Sequence, residues 1–339
     1  MKLFVIMNVL FAVLVSTMSV AVANEVNVYS ARKEALIKPL LDEFTQSTGI
    51  KVNLVTGSAD ALITRMQSEG QFSPVDLLIT TDAGRLVRAK NADLTQVFSS
   101  AQVNQIVPSH LRDKDNHWFG LTMRARPIMY SPENANVAEL KSILDLAKPM
   151  YKGQICIRSS GNIYNQSMIA ALTLELGESA VQSWAEGVVN NMARSPKGGD
   201  RDQIKAVAAG QCSIAVANTY YLAGMLSSDN ATEREQASKV KVLWTDQDGF
   251  GTHVNISGAA IAKHAPNVSN AQQLLTFMLR PESQQWYAEN NHEYPVHNEV
   301  AQSDLMQSFG AFKAQSVALD AVGEGNADAL KLMDRAGWK

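Results

Sequence analysis

The chain has little net charge: 30 Lys and Arg side chains face 33 Asp and Glu, a formal −3. So mild and mixed a balance leaves no electrostatic footprint for nucleic acid or anionic lipid, and neither partner is expected. The six histidines, His110, His117, His253, His264, His292 and His297, never fall at His-x-x-x-His spacing, which removes the short-motif zinc site. Gly249-Phe250-Gly251 lacks the third glycine of a dinucleotide-binding loop, and Lys197-Gly198-Gly199 is not a phosphate-binding Walker sequence. No repeat or low-complexity tract occurs, and past the first two dozen residues no run is long and apolar enough to span a bilayer. Cysteine is scarce too, with Cys156 and Cys212 alone, so no lipobox cysteine marks a lipid-anchored form.

What is present begins with an export signature. Lys2 precedes an uncharged apolar run from Leu3 to about Val20, and Ala21-Val22-Ala23 is the small-x-small pattern at which signal peptidase cuts. The expected mature start is Asn24, and the expected location is the periplasm, without stable membrane insertion. Removing 23 of the 339 residues leaves 316, more than one hydrophobic core usually organises, so two lobes are expected. An even cysteine count in an oxidising compartment reads as a possible disulfide. Cys156 and Cys212 each adjoin a strand-like run, and the alternative to a bridge is two buried thiols.

Strand and helix patterns alternate after Asn24. Val26 to Ser30 alternates as a strand, Lys33 to Ser47 has helical spacing ended by Gly49, and Lys51 to Val55 is the next strand. Ala59 to Glu69 is a helix closed by Gly70, and Val75 to Thr80 a further strand, giving an α/β lobe on a parallel sheet. The alternation restarts with strand Gln154 to Arg158, helix Gln166 to Leu176, helix Gln203 to Ala209 and strand Cys212 to Ala217. Asp200-Arg201-Asp202-Gln203 is read as a capping box for the helix at Gln203. Crossings between the lobes are placed near Leu121 to Arg126 and near His253 to Ala260. The expected division is a signal peptide 1–23, a first lobe of 24–123 with 255–300, and a second lobe of 124–254 with 301–339. A cleft between two such lobes is the architecture of a hinged binding protein.

The candidate site is built of tyrosines. Tyr164 lies in Gly161-Asn162-Ile163-Tyr164-Asn165-Gln166-Ser167, and the pair Tyr220-Tyr221 follows Ala217-Asn218-Thr219. Successive side chains of a strand point to opposite faces, so Tyr220 and Tyr221 converge only if they sit at a strand-to-helix corner. Ligands of open α/β sheets collect at such carboxyl ends of strands, where the following helix presents unpaired amides. A phenolate is a hard anionic donor suited to a hard trivalent cation, and metal binding lowers the phenol pKa from about 10. Arg124 and Arg32 are candidate anion clamps, because a guanidinium fork matches a planar oxyanion. On these residues alone the chain is an exported two-lobe binder, and an organic cation or anion remains an alternative ligand.

From Val26 to about Val296 the chain resembles the ferric-ion-binding periplasmic proteins of ATP-driven importers. The likeness rests on Val28-Tyr29-Ser30-Ala31-Arg32, Cys156-Ile157-Arg158-Ser159-Ser160, Asn162-Ile163-Tyr164-Asn165-Gln166-Ser167, Gly198-Gly199-Asp200-Arg201-Asp202-Gln203, Asn218-Thr219-Tyr220-Tyr221 and Tyr294-Pro295-Val296 together. The resemblance implies a type II periplasmic-binding-protein fold, α/β in class, with iron ligated by Tyr164, Tyr220 and Tyr221. It implies a monomeric, non-catalytic shuttle that serves an inner-membrane ABC permease and its ATPase. Where many relatives place His-Tyr after the arginine, this chain has Lys33-Glu34. The likeness is therefore to tyrosine-only members that complete the Fe³⁺ shell with carbonate or a similar synergistic anion, with Glu34 a possible additional ligand. A two-lobe enzyme is the competing class, since porphobilinogen deaminase shares a related architecture and carries its cofactor on a cysteine.

Overall fold

The computed structural model describes residues 24–339 apart from 134 and 136; the expected signal peptide, 1–23, lies outside the described residues. Its ten strands are β1 (Glu25–Ser30), β2 (Lys51–Thr56), β3 (Leu77–Thr81), β4 (Phe119–Ala125), β5 (Ile128–Tyr130), β6 (Ile155–Cys156), β7 (Ile214–Val216), β8 (Lys241–Leu243), β9 (Val254–Ile261) and β10 (Tyr294–Pro295). They form a six-stranded sheet in the order β10-β4-β9-β3-β1-β2 and a four-stranded sheet in the order β6-β7-β5-β8.

The first sheet is mixed. β1 pairs in parallel with β2 and β3, as the strand-helix alternation predicts, whereas β9 lies antiparallel between β3 and β4. The expectation of a parallel sheet fails there because β4 and β9 belong to the chain's outward and return passages. All eight residues of β9 are buried, so its apolar run, Val254-Asn255-Ile256-Ser257-Gly258-Ala259-Ala260-Ile261, is that of a central strand. The helical pattern from Lys33 breaks into a 3₁₀ turn at Glu34–Leu36 and an α-helix at Lys38–Thr48. Pro39 accounts for the break: it lacks an N–H and suits only a first turn. Gly49 ends that helix at φ 73°, the left-handed conformation that glycine adopts without a Cβ penalty.

The two passages between sheets lie side by side. β4 ends at Ala125 and β5 begins at Ile128, while β9 starts immediately after His253, and Arg126 N donates to His253 O at 2.9 Å. The two crossings between the sheets thus lie next to each other. Next to them, Asp82 follows β3 at φ 80° and ties β9 to the helix Ile163–Leu176. Its carboxylate accepts from Ser167 Oγ at 2.7 Å, Asn255 Nδ2 at 2.9 Å and Gly84 N at 2.9 Å. The helix Leu319–Glu324 packs against the helices Ala83–Asn91 and Ile163–Leu176 at the same edge. A Cβ on Gly323 would come within 2.4 Å of Val87 Cγ2 and 3.2 Å of Gly84 Cα, so the two helices approach closely at these glycines.

The second sheet is small, with strands of two or three residues, and its integrity owes more to what surrounds it. Cys156 at the end of β6 and Cys212 ahead of β7 form a disulfide with Cα atoms 5.9 Å apart. It sits in a core of Met129, Ile204, Val207, Ala215 and Leu222. The helix expected from Gln203 starts earlier, at Asp200, with Gly199 as its N-cap. The reach-back acceptor is Asp202, whose carboxylate takes the Gly199 N–H at 2.7 Å, and Gln203 instead donates to Lys197 O and Gly199 O.

Candidate metal centre

β6 and β7 run parallel as neighbours, so the segments leaving their carboxyl ends open on the same side. Each leads into a helix, Ile163–Leu176 with Asn162 at its N-cap and Thr219–Leu226 with Asn218 at its N-cap. Tyr164, Tyr220 and Tyr221 therefore lie in first turns of two adjacent helices, among N–H groups without intrahelical partners. Neither tyrosine segment is a strand, which removes the alternation that would have sent Tyr220 and Tyr221 to opposite faces.

The phenols meet. Tyr220 Oη donates towards Tyr164 Oη at 3.5 Å, and the Tyr220 and Tyr221 rings lie 4.2 Å apart. Thr81 Oγ1, at the end of β3, stands 3.5 Å from Tyr164 Oη, bringing the first sheet to the same point. Arg124 of β4 lies 4.8 Å above the Tyr220 ring and directs Nη1 to Tyr220 Oη at 3.4 Å. All three tyrosines line a cleft of about 400 Å³ together with Arg32, Lys33, Thr81, Arg124, Arg201 and Glu293.

The three phenols differ in acidity. Burial pushes Tyr164 up, but Arg124 first, then the hydrogen bonds of Thr81 and Tyr220, bring it below the ordinary tyrosine value. Burial and the neighbouring Tyr164 hold Tyr220 well above that value, and the same two causes raise Tyr221. Tyr164 is thus the most acidic of the three, and the Tyr220 hydroxyl donates towards it. Behind Tyr164, the Arg126 and Arg158 guanidinium carbons lie 5.9 and 5.8 Å from its ring. Asp200 holds both, accepting from Arg126 Nη1 and Arg158 Nη1 at 2.7 Å each.

The other expected residues are placed as follows. Arg32 is buried and lines the cleft, yet Nη1 donates to Ser257 Oγ at 2.5 Å and to Glu293 Oε2 at 3.1 Å, and Nη2 to Glu293 Oε1 at 3.3 Å. Glu34 is not brought to the tyrosines. It is exposed on the 3₁₀ turn and faces an outer surface hollow with Lys38 and Asp42, while its neighbour Lys33 lines the cleft. The turn preceding Pro39 leaves position 34 on the outside, so in this structure Glu34 does not line the tyrosine cleft. The carboxylate that does reach the site is Glu293, 3 % exposed, which sequence reasoning missed. Burial raises its pKa, but Arg32 and Arg124 outweigh that and leave it below the usual carboxylate range. Its sole signal was a place directly ahead of Tyr294-Pro295-Val296. Among the described residues no group of three His, Cys, Asp or Glu side chains is arranged to hold a metal ion.

Two α/β sheets, a paired crossing and a polar cleft between them define a two-lobe binding protein of the type II periplasmic class. The chain belongs to the bacterial extracellular solute-binding protein family, whose model matches residues 63–309. It is 43% identical over 315 residues to iron uptake protein A1 of Synechocystis, covering 93% of this chain and 88% of that protein. It is also 30% identical over 312 residues to an Fe(3+)-binding periplasmic protein of Serratia marcescens, covering 91% and 89%. Among solved structures, a Trichodesmium protein (IdiA, FutA) in complex with iron and citrate superposes with a TM-score of 0.90 at 46% identity, covering 93% of this chain and all of that one. The ferric binding protein from Campylobacter jejuni gives 0.88 at 38% identity, with 93% and 100% covered.

Proposed function

We propose that this protein is a periplasmic carrier that captures Fe³⁺ and delivers it to an inner-membrane ABC permease and its ATPase. Tyr164, Tyr220 and Tyr221 are the ligands, supplying three phenolates that neutralise the ion. The observation that carries this reading is the convergence of half-buried phenols in the cleft, with Tyr164 and Tyr220 oxygens 3.5 Å apart beside Arg124. A trivalent cation is what such a set of hard anionic donors selects. The names of the Synechocystis and Serratia relatives point the same way.

Carbonate or a similar small anion completes the shell, held at Arg124, with Arg32 joining only by exchanging Glu293 for it. The work is carriage, without a catalytic step. The lobes divide at the paired crossings, 24–123 with 255–300 against 124–254 with 301–339, and the monomer closes over its cargo. The test is replacement of Tyr164, Tyr220 and Tyr221 by Phe, singly and together, which removes one oxygen each and little volume. Each single variant should weaken iron retention against a competing chelator, and the triple variant should lose the visible phenolate-to-iron band. Iron bound by the triple variant with an unchanged band would place the site elsewhere.

A further inference from the structure

Glu293 gathers the cations of the cleft into one buried unit. Its Oε1 accepts from Arg124 Nη2 at 2.8 Å and Arg32 Nη2 at 3.3 Å, and its Oε2 from Arg32 Nη1 at 3.1 Å and Thr122 Oγ1 at 2.5 Å. Ser257 Oγ accepts from the same two arginines. Arg32, Arg124 and Glu293 are each 5 % exposed or less, so this carboxylate is the only close counter-charge two buried guanidiniums have among the described residues. Both terminal nitrogens of Arg32 are engaged, and Arg124 keeps only Nη1 turned towards the phenols. Nε of each guanidinium is buried without a partner, but Glu293 holds both Nη atoms of Arg32 and Nη2 of Arg124, so an anion that forks onto Arg32 by any two of its nitrogens takes at least one from Glu293.

We propose that Glu293 is a built-in carboxylate competitor for the site's outside anion, and thereby the residue that sets how much anion iron retention requires. This rests on the function proposed above. In the empty protein Glu293 offsets one of the two positive charges of Arg32 and Arg124, which would otherwise both stand as uncompensated buried charge. During loading the same bonds oppose the anion, because planar oxyanion and Glu293 use the same guanidinium edges. Glu293 directly precedes β10 and lines the same cleft as the phenols, so the competitor and the outside anion share one space.

The test is an anion titration of iron-loaded wild type, Glu293→Gln and Glu293→Asp, following the visible band and the iron retained against a competing chelator. Carbonate is the probe in one arm and citrate in another. Removing one charge-assisted competitor should lower the anion concentration for half-maximal retention by about tenfold in Glu293→Gln. Glu293→Asp, which keeps the charge, should return to the wild-type midpoint. A merely structural role would lower the melting temperature of Glu293→Gln without moving its midpoint downward. An unchanged or raised midpoint in both arms overturns the proposal. If Glu293→Gln fails to fold, Thr122→Val removes one bond to Glu293 and no charge; a smaller downward shift supports the proposal and no shift overturns it. Wild type without a phenolate band at any anion concentration would instead refute the ligand assignment, so the two failures are distinct.

Discussion

Acid should weaken the hinge through His253, and the size of the effect follows from its surroundings. The imidazole is 8 % exposed at the start of β9, with Nδ1 3.2 Å from Gln315 Oε1 and the Arg126 guanidinium as the charged neighbour. Burial lowers its pKa, the Gln315 bond offsets part of this, and Arg126 adds repulsion, leaving it at about 4 against an ordinary 6.5. Between these values the unfolded chain binds a proton that the native state refuses. Unfolding then takes up a proton, and stability falls as pH falls from the unfolded towards the folded pKa. At about 1.4 kcal/mol per pH unit, the loss approaches ~3 kcal/mol by pH ~4 and is ~2 kcal/mol at pH ~5. That is a large share of the 5–15 kcal/mol typical of a domain. Asp82 opposes the trend, since burial raises its pKa and it takes up protons in the native state. Comparison with His253→Gln cancels that contribution. Urea unfolding of both proteins between pH ~7 and ~5 should show wild type losing ~2 kcal/mol more than the variant. Parallel profiles would refute a buried, neutral His253.

Two other outcomes are expected. Replacing Cys156 and Cys212 by Ser should cost about 2–4 kcal/mol in the melt of the second lobe, given the 56-residue loop they close, and a melting temperature equal to wild type would count against the brace. Loading with Fe³⁺ and carbonate should reduce the radius of gyration in small-angle scattering, as the hinge beside Arg126 and His253 closes; equal radii in protein shown to hold iron would mean that lobe spacing is not the loading signal.

Much of the candidate site was legible because it is local in sequence. Tyr164 and the pair at 220–221 each sit a few residues beyond a strand pattern, and strand-to-helix corners announce themselves by apolar runs followed by Asn and Thr. The helix Ala59–Glu69 was legible for the same reason, with Ser58 capping Ala61 N at 3.2 Å. Long-range partners were not. Glu293 meets Arg32 across 261 residues, and nothing local distinguishes it from a solvated glutamate. Arg126 and Arg158 reach Tyr164 through Asp200, a residue whose sequence context suggested only a cap. Sheet direction was hidden likewise: β9 is antiparallel because the chain returns to the first sheet, a tertiary fact that strand periodicity does not carry. Position 34 lies outside the cleft for a local reason, the turn ahead of Pro39.

The disulfide has a consequence for how the ligands find one another. Along the backbone Tyr164 and Tyr220 are 56 residues apart. Through the sulfurs the path is eight residues from Tyr164 to Cys156 and eight from Cys212 to Tyr220. Effective concentration falls as about the −3/2 power of tether length, so in a frayed chain the shorter path makes the two phenols meet roughly six times as often. An oxidised chain thus keeps the two phenols near one another when the second sheet loosens. On the ligand set proposed above, Fe³⁺ would then meet two phenols held close before the strands re-form.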